Sequence, residues 1–262
     1  MVGDNVRVVG DVSGDDGSLA RIVEVRERST TLRRTADDDD PVERVIVSNA
    51  DQLVVVAALA DPEPRPRLID RALVAAYDAR MTPVLCLTKA DLADPETLLA
   101  TYRHLDVEHV VTQRGGDLDA VRAVLAGRSS VLVGHSGVGK STLVNALVPE
   151  ANREVGIVNA VTGRGRHTST SAYMLPLPGD GGGWIIDTPG IRSFGLAHID
   201  PDRLIGAFPD LEAETDVCPR GCSHGEGEPE CGLDEAIEAG TLDAPRVESF
   251  RRLLAAREGD AY

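Results

Sequence analysis

Gly134-His135-Ser136-Gly137-Val138-Gly139-Lys140-Ser141 decides how this chain is read. The stretch fits the phosphate-loop pattern G-x-x-x-x-G-K-[ST], between an apolar strand-like run, Val131-Leu132-Val133, and a segment with helical spacing from Lys140 to Leu147. Residues Gly134 to Gly139 are expected to turn backbone N–H groups toward phosphate oxygens. Lys140 then reaches the β and γ oxygens, Ser141 supplies a hydroxyl ligand to Mg²⁺, and Thr142 adds a further phosphate contact.

Working outward, Asp187-Thr188-Pro189-Gly190 follows the apolar run Trp184-Ile185-Ile186. Alone it is a common turn. At a strand end downstream of a phosphate loop it marks an aspartate that supports Mg²⁺ and a glycine whose N–H meets the γ-phosphate. Upstream, Thr88-Lys89-Ala90-Asp91 ends the run Pro83 to Leu87 and fits the guanine-reading [NT]-K-x-D element. Asp91 can accept from the N1–H and amine of guanine, for which adenine has no matching donor pair, and Lys89 can pack its stem over the base. Thr88 stands where asparagine is more usual. Thr112-Gln113, after the next strand, is the natural second base-contacting loop.

Between the phosphate loop and Asp187 lies Gly163-Arg164-Gly165-Arg166-His167-Thr168-Ser169-Thr170, read as a loop that brings a threonine to Mg²⁺, Thr168 ahead of Thr170. Ile191 occupies the position where many GTPases carry a water-orienting glutamine, and an aliphatic side chain cannot orient water. His167 is therefore the candidate for that task, alongside Lys140 and Gly190 in the catalytic set.

The base-reading element precedes the phosphate loop, which precedes the aspartate motif, whereas ordinary GTPases place the phosphate loop first. A site assembled from strand ends depends on position in space, so a circular permutation preserves its chemistry. Strand-like runs at Leu53 to Leu59, Pro83 to Leu87, Val110-Val111, Val131 to Val133 and Trp184 to Ile186 alternate with helical spacing at 68–79, 95–102, 118–125 and 140–147. That alternation predicts a doubly wound, largely parallel α/β sheet. Val6 to about Leu32 alternates as a small β module, and Asp37 to Asp40 with Pro41 forms an acidic linker. The expected division is 1–40 for a small, partial β module and linker, 41–200 for a permuted P-loop GTPase domain, and 201–262 for a zinc-binding helical module.

Composition narrows the function. The chain has 262 residues and a net charge of -16, which argues against a protein coated in basic surface for indiscriminate nucleic-acid binding. Its only lysines are Lys89 and Lys140, both inside the motifs above. No apolar run approaches the ~20 residues of a membrane-spanning helix and the N-terminus does not read as a secretory signal, so a cytoplasmic protein without a membrane partner is expected. Cys86 sits alone in an apolar run. Cys218, Cys222, His224 and Cys231 crowd together as Cys-x₃-Cys-x-His-x₆-Cys, the donor set of a closed tetrahedral zinc site.

Taken together, Thr-Lys-Ala-Asp at 88–91, the phosphate loop at 134–141, Gly-Arg-Gly-Arg-His-Thr at 163–168, Asp-Thr-Pro-Gly at 187–190 and the Cys/His cluster resemble the ribosome small subunit-dependent GTPase A (RsgA or YjeQ) family. The resemblance implies an N-terminal OB-fold, a permuted GTPase domain and a C-terminal zinc domain. It also implies late maturation of the bacterial 30S subunit, contact with its 16S rRNA, and stimulation of hydrolysis by that subunit. Two features depart from the family. The β module is short for a five-stranded barrel, and the cluster spacing differs from the usual Cys-x₄-Cys-x-His-x₅-Cys. The expected protein is a monomeric GTPase using Mg²⁺, with one structural Zn²⁺. Its rivals are an ATP-using phosphotransferase on the same loop and a zinc-containing RNA-binding protein with vestigial hydrolysis.

Overall fold

The computed structural model describes residues 1–13, 15, 17–34, 44–149, 172–179, 181–188, 196, 199 and 201–257. Six strands form its central sheet: β5 (Gln52–Ala58), β6 (Thr82–Thr88), β7 (Glu108–Val111), β8 (Ser129–Val133), β9 (Tyr173–Pro176) and β10 (Trp184–Asp187), in the spatial order β7-β6-β5-β8-β10-β9. All neighbours are parallel except the edge strand β9, which runs antiparallel to β10. β9 has no counterpart in the sequence reading. Its four residues are too short a run to carry a period of their own, and pairing with β10 makes them a strand.

The strands alternate between two cores, as period-2 geometry requires. Val54, Val56, Val84, Cys86, Leu132 and Ile185 face one core, while Leu53, Val55, Leu85, Leu87, Val131, Val133 and Ile186 face the other. Every residue of β5 is buried, so its near-continuous apolar run reflects cover on both faces. α1 (Pro66–Asp78) and α2 (Glu96–Tyr102) cover the Leu53 face; α3 (Asp119–Leu125) and α4 (Lys140–Leu147) cover the Val54 face. Burial pushes the Cys86 thiol up to about 12, which keeps it protonated and inert in the sheet.

The N-terminal strands β1 (Val6–Gly10), β2 (Ala20–Val25), β3 (Thr31–Arg34) and β4 (Arg44–Ser48) form two separate antiparallel ladders, β1-β2 and β3-β4. This is a partial β module and not a closed barrel among the described residues. β1 and β2 are exposed throughout, whereas Leu32 and Val47 are fully buried in the core shared with α1. β4 lies beyond the boundary expected at residue 40, yet pairs with β3. Strand partnership across a linker leaves no local trace in sequence.

The C-terminal segment contains α5 (Pro201–Ile205), α6 (Pro209–Glu212), α7 (Gly232–Ala239) and α8 (Ala244–Arg257). It shares the core on the Leu53 face, contributing Leu204, Phe208, Leu233, Phe250 and Leu253. The Phe208 ring lies edge-to-face with Tyr77 at 5.0 Å and with Phe250 at 5.4 Å. Each such pair adds about 0.5–1.5 kcal/mol beyond burial. Arg252 of α8 pairs with Asp70 of α1 at 3.3 Å, and Arg71 of α1 donates to the Ala256 carbonyl at 2.9 Å. The sequence treats residues 201–262 as a module of its own; its apolar side is continuous with the sheet domain.

Candidate nucleotide cleft and metal centre

Parallel strands deliver their carboxyl ends to one edge of the sheet, where α/β folds place ligands. Thr88 ends β6, Thr112 follows β7, Gly134 follows β8 and Asp187 ends β10. A cavity of about 570 Å³, within the roughly 300–1,000 Å³ usual for small-molecule sites, opens there. Thr88, Lys89, Thr112, Gln113, the loop residues from Gly134 to Gly139 except Val138, and Lys140 to Thr142 line it. Arg114, Gly115 and Gly116 extend this lining, residues that sequence reasoning missed although the Gly-Gly pair marks a turn there. Asp91 is exposed beside the cavity and not part of its wall.

Glycine is required in the loop for two distinct reasons. Gly137 and Gly139 hold φ of +85° and +92°, and Gly139 caps the N-terminus of α4. Gly134 instead meets a neighbour: a Cβ there would lie 2.5 Å from the Val56 carbonyl oxygen and 3.0 Å from Val138 Cγ2. Lys140, buried at the start of α4, donates to Asp187 Oδ1 and, at 2.8 Å, to the Thr188 carbonyl. The phosphate-loop lysine and the aspartate of the third motif therefore share one locus.

Thr88 lines the cavity and also holds the phosphate loop. Its hydroxyl is buried and donates to the Val138 carbonyl at 2.6 Å, with the Ala57 carbonyl at 3.4 Å, so it braces the phosphate loop from the end of β6. Lys89 has φ +59° and its ammonium donates to the Asp61 carbonyl. The Ala90 N–H donates to the Thr112 carbonyl at 3.2 Å and the Thr112 N–H to the Leu87 carbonyl at 2.8 Å, which stitches the loops after β6 and β7 together. Thr112 Oγ1 is buried without a hydrogen-bond partner among the described atoms.

With this donor set the cleft fits a Mg²⁺-nucleotide, Ser141 and Asp187 being the described residues able to hold the ion. His167, Thr168, Thr170, Gly190 and Ile191 lie outside the described residues.

The second site joins the loop after α6 to α7. The ligating atoms of Cys218, Cys222, His224 and Cys231 lie within 4.8 Å of one another. Cys218 Sγ is 3.6 Å from His224 Nδ1. Tetrahedral zinc with Zn–S ~2.3 Å and Zn–N ~2.0–2.1 Å requires about 3.6 Å across that edge. Backbone N–H groups already point at sulfur: Gly232 donates to Cys218 Sγ at 3.1 Å and His224 to Cys222 Sγ at 3.4 Å. Gly232 is obligatory, because a Cβ there would lie 2.2 Å from the Glu214 carbonyl oxygen. Burial and the neighbouring Cys231 and Cys218 sulfurs push the Cys222 thiol up to about 11, so protons compete with a metal here. His224 and Cys231 are buried and the four donors make up a complete tetrahedral set, which suits a structural ion.

Comparison with known proteins agrees with the geometry. A family model described as RsgA GTPase matches residues 25–197. A relative from Ectopseudomonas mendocina, named small ribosomal subunit biogenesis GTPase RsgA, is 42% identical over 226 residues, covering 83% of this chain and 65% of its own length. One of the same name from Pseudomonas fluorescens is 40% identical over 259 residues, covering 95% of this chain and 74% of its own. The chain thus spans about two thirds to three quarters of these relatives. Among solved structures, YjeQ from Thermotoga maritima superposes with a TM-score of 0.66 at 28% identity, covering 100% of this chain and 85% of that one. YloQ, described as a circularly permuted GTPase, gives 0.65 at 25%, with 100% and 83% covered. With motif order, sheet topology and family match in accord, the chain belongs to the RsgA GTPase family and carries its circularly permuted fold.

Proposed function

We propose that this chain hydrolyses GTP to GDP and phosphate as a late-stage assembly factor of the bacterial 30S ribosomal subunit, whose binding stimulates turnover. The observation that carries the reading is the convergence, at one sheet edge, of a guanine-type strand end and a phosphate loop linked by the Thr88 hydroxyl. The relatives' names, which specify small ribosomal subunit biogenesis, support the partner. Contact with 16S rRNA, action as a monomer and a cytoplasmic location belong to the same proposal. No helix among the described residues is long and apolar enough to cross a membrane.

In this reading the amides of Gly134 to Gly139 and the Lys140 ammonium bind the phosphates, while Asp91 accepts from the guanine N1–H and amine. Lys89, Thr112 and Gln113 complete the base site. Mg²⁺, when held by Ser141, Thr168 and Asp187, supplies charge neutralisation at the β and γ oxygens. His167 orients the water that attacks the γ-phosphorus, and the Gly190 N–H steadies the γ-phosphate. The new P–O bond forms as the bond to the β–γ bridging oxygen breaks, and GDP departs with that electron pair. Cys218, Cys222, His224 and Cys231 hold a structural Zn²⁺. The domain limits of 1–40, 41–200 and 201–262 remain the proposed division, with β4 joining the first unit by pairing.

The test is nucleotide turnover by the full chain with GTP and with ATP, each with and without purified 30S subunits. GTP-selective hydrolysis that rises with the subunit is expected. Absence of GTP turnover in both conditions would remove the enzymatic reading, and turnover indifferent to the subunit would remove the partner.

A further inference from the structure

Two consecutive arginines of α8 engage different partners. Arg252 reaches Asp70 of α1 at 3.3 Å, and its guanidinium lies 5.2 Å from the centre of the Tyr102 ring. Arg251 turns to the Cys/His cluster instead. Its Nη1 and Nη2 each donate to Asp234 at 2.8 Å, its Nε donates to the His224 carbonyl at 3.1 Å, and Nη2 lies 3.8 Å from Cys231 Sγ. One side chain thus touches the backbone of one ligand residue and the sulfur of another.

We propose that Arg251 is the positioning residue of the metal centre, aiming donors at Cys231 Sγ and the His224 carbonyl so that metal binding and attachment of the loop to α8 form one linked equilibrium. The inference rests on the zinc reading above. Asp234 pairs with both guanidinium nitrogens, so Arg251 acts through directed N–H groups and not as a bare positive charge. Asp234 is itself fixed, since its N–H donates to the Cys231 carbonyl at 2.9 Å. A donor on a ligating sulfur withdraws electron density from it, and a bond to the His224 carbonyl holds that residue at its φ of +58°. Partners of this kind outside the ligand set typically alter metal affinity by ~10–100-fold. Beyond the centre, Arg252 and the Arg71 bond to the Ala256 carbonyl hold the other side of α8 on α1.

The experiment uses the full chain loaded with Zn²⁺ for affinity by chelator competition, and with Co²⁺ for the thiolate-to-metal charge-transfer band. Arg251→Ala is expected to weaken zinc by ~10–100-fold. Its cobalt band should move to lower energy, because Cys231 Sγ loses a donor. Arg251→Lys retains one donor nitrogen, on a flexible stem, in place of three and should fall between. Arg252→Ala loosens α8 without touching the centre, and should keep the wild-type band and nearly the wild-type affinity. Wild-type affinity and band in Arg251→Ala would overturn the inference, as would an equal effect from Arg252→Ala, which would assign the loss to helix docking. If Arg251→Ala does not fold, Arg251→Lys decides on the same two readouts. A wild-type chain that takes up neither metal would overturn the zinc reading itself, a result distinct from metal binding that ignores Arg251.

Discussion

Replacing Thr88 by valine keeps the shape of the side chain and removes only its hydroxyl, at the joint between the base-side strand and the phosphate loop. The 2.6 Å bond to the Val138 carbonyl is lost, and valine offers that buried acceptor no donor. Leaving a buried acceptor unsatisfied costs about 1–3 kcal/mol. If the whole cost falls on the loop conformation that binds phosphates, affinity drops by about 5- to 150-fold, since 1.4 kcal/mol is a factor of ten. GDP and GTP should suffer alike, because both use the loop at the β-phosphate, and the preference for guanine over adenine should persist. Equilibrium titration with fluorescent GDP and GTP analogues measures this, with thermal unfolding as a check on global stability. Thr88→Ser restores the donor and should recover most of the affinity. Binding by Thr88→Val within twofold of wild type would refute the brace and return Thr88 to an ordinary packing position.

Gly134→Ala would drive a Cβ to 2.5 Å from the Val56 carbonyl oxygen. β5 cannot yield there, so the loop should shift at a cost of about 1–3 kcal/mol, read as weaker nucleotide binding with unchanged circular dichroism. Asp91→Asn should relax the guanine preference by about 1–3 kcal/mol; an unaltered ratio of GTP to xanthosine triphosphate affinity would remove Asp91 from base reading. His167→Ala should leave nucleotide affinity near wild type and lower turnover by ~10²–10⁴-fold, and full basal and stimulated turnover would sink the assignment. Acid unfolding should reflect carboxyl shifts of opposite direction. Arg246 beside Asp210 and Arg251 beside Asp234 hold those carboxyls below the usual range. Their contribution is present above about pH 4 and lost as pH falls through the depressed values. Asp70 is shifted upward, mainly by burial. Its contribution is greatest below about pH 4 and diminishes as pH rises through the elevated value. Asp210→Asn should therefore flatten the acid loss measured by denaturant titration, and Asp70→Asn should not.

What the sequence determines by itself is local. The buried run 52–58 becomes a central strand because both faces are apolar, and Gly134 to Ser141 becomes a strand-to-helix turn because glycine permits its backbone. The order of motifs establishes the permutation, and the donor types within 218–231 mark a candidate metal site, since thiol and imidazole chemistry is written in residue identity. Tertiary structure decides which distant groups meet. Thr88 reads in sequence as part of the base-side element; that its hydroxyl also meets an acceptor fifty positions away in the chain depends on the parallel pairing of β5 with β6 and β8. β9 becomes a strand through β10, and β4 joins β3 across the linker. Phe208 unites the C-terminal helices with α1 by lying between Tyr77 and Phe250. Arg251 and Arg252 are adjacent in sequence and alike in chemistry; the rotation of about 100° between neighbouring residues of a helix sends one to the Cys/His cluster and the other to α1. Periodicity and residue type record what each segment can do with its own backbone, whereas partnership depends on the packing of segments that no local pattern encodes.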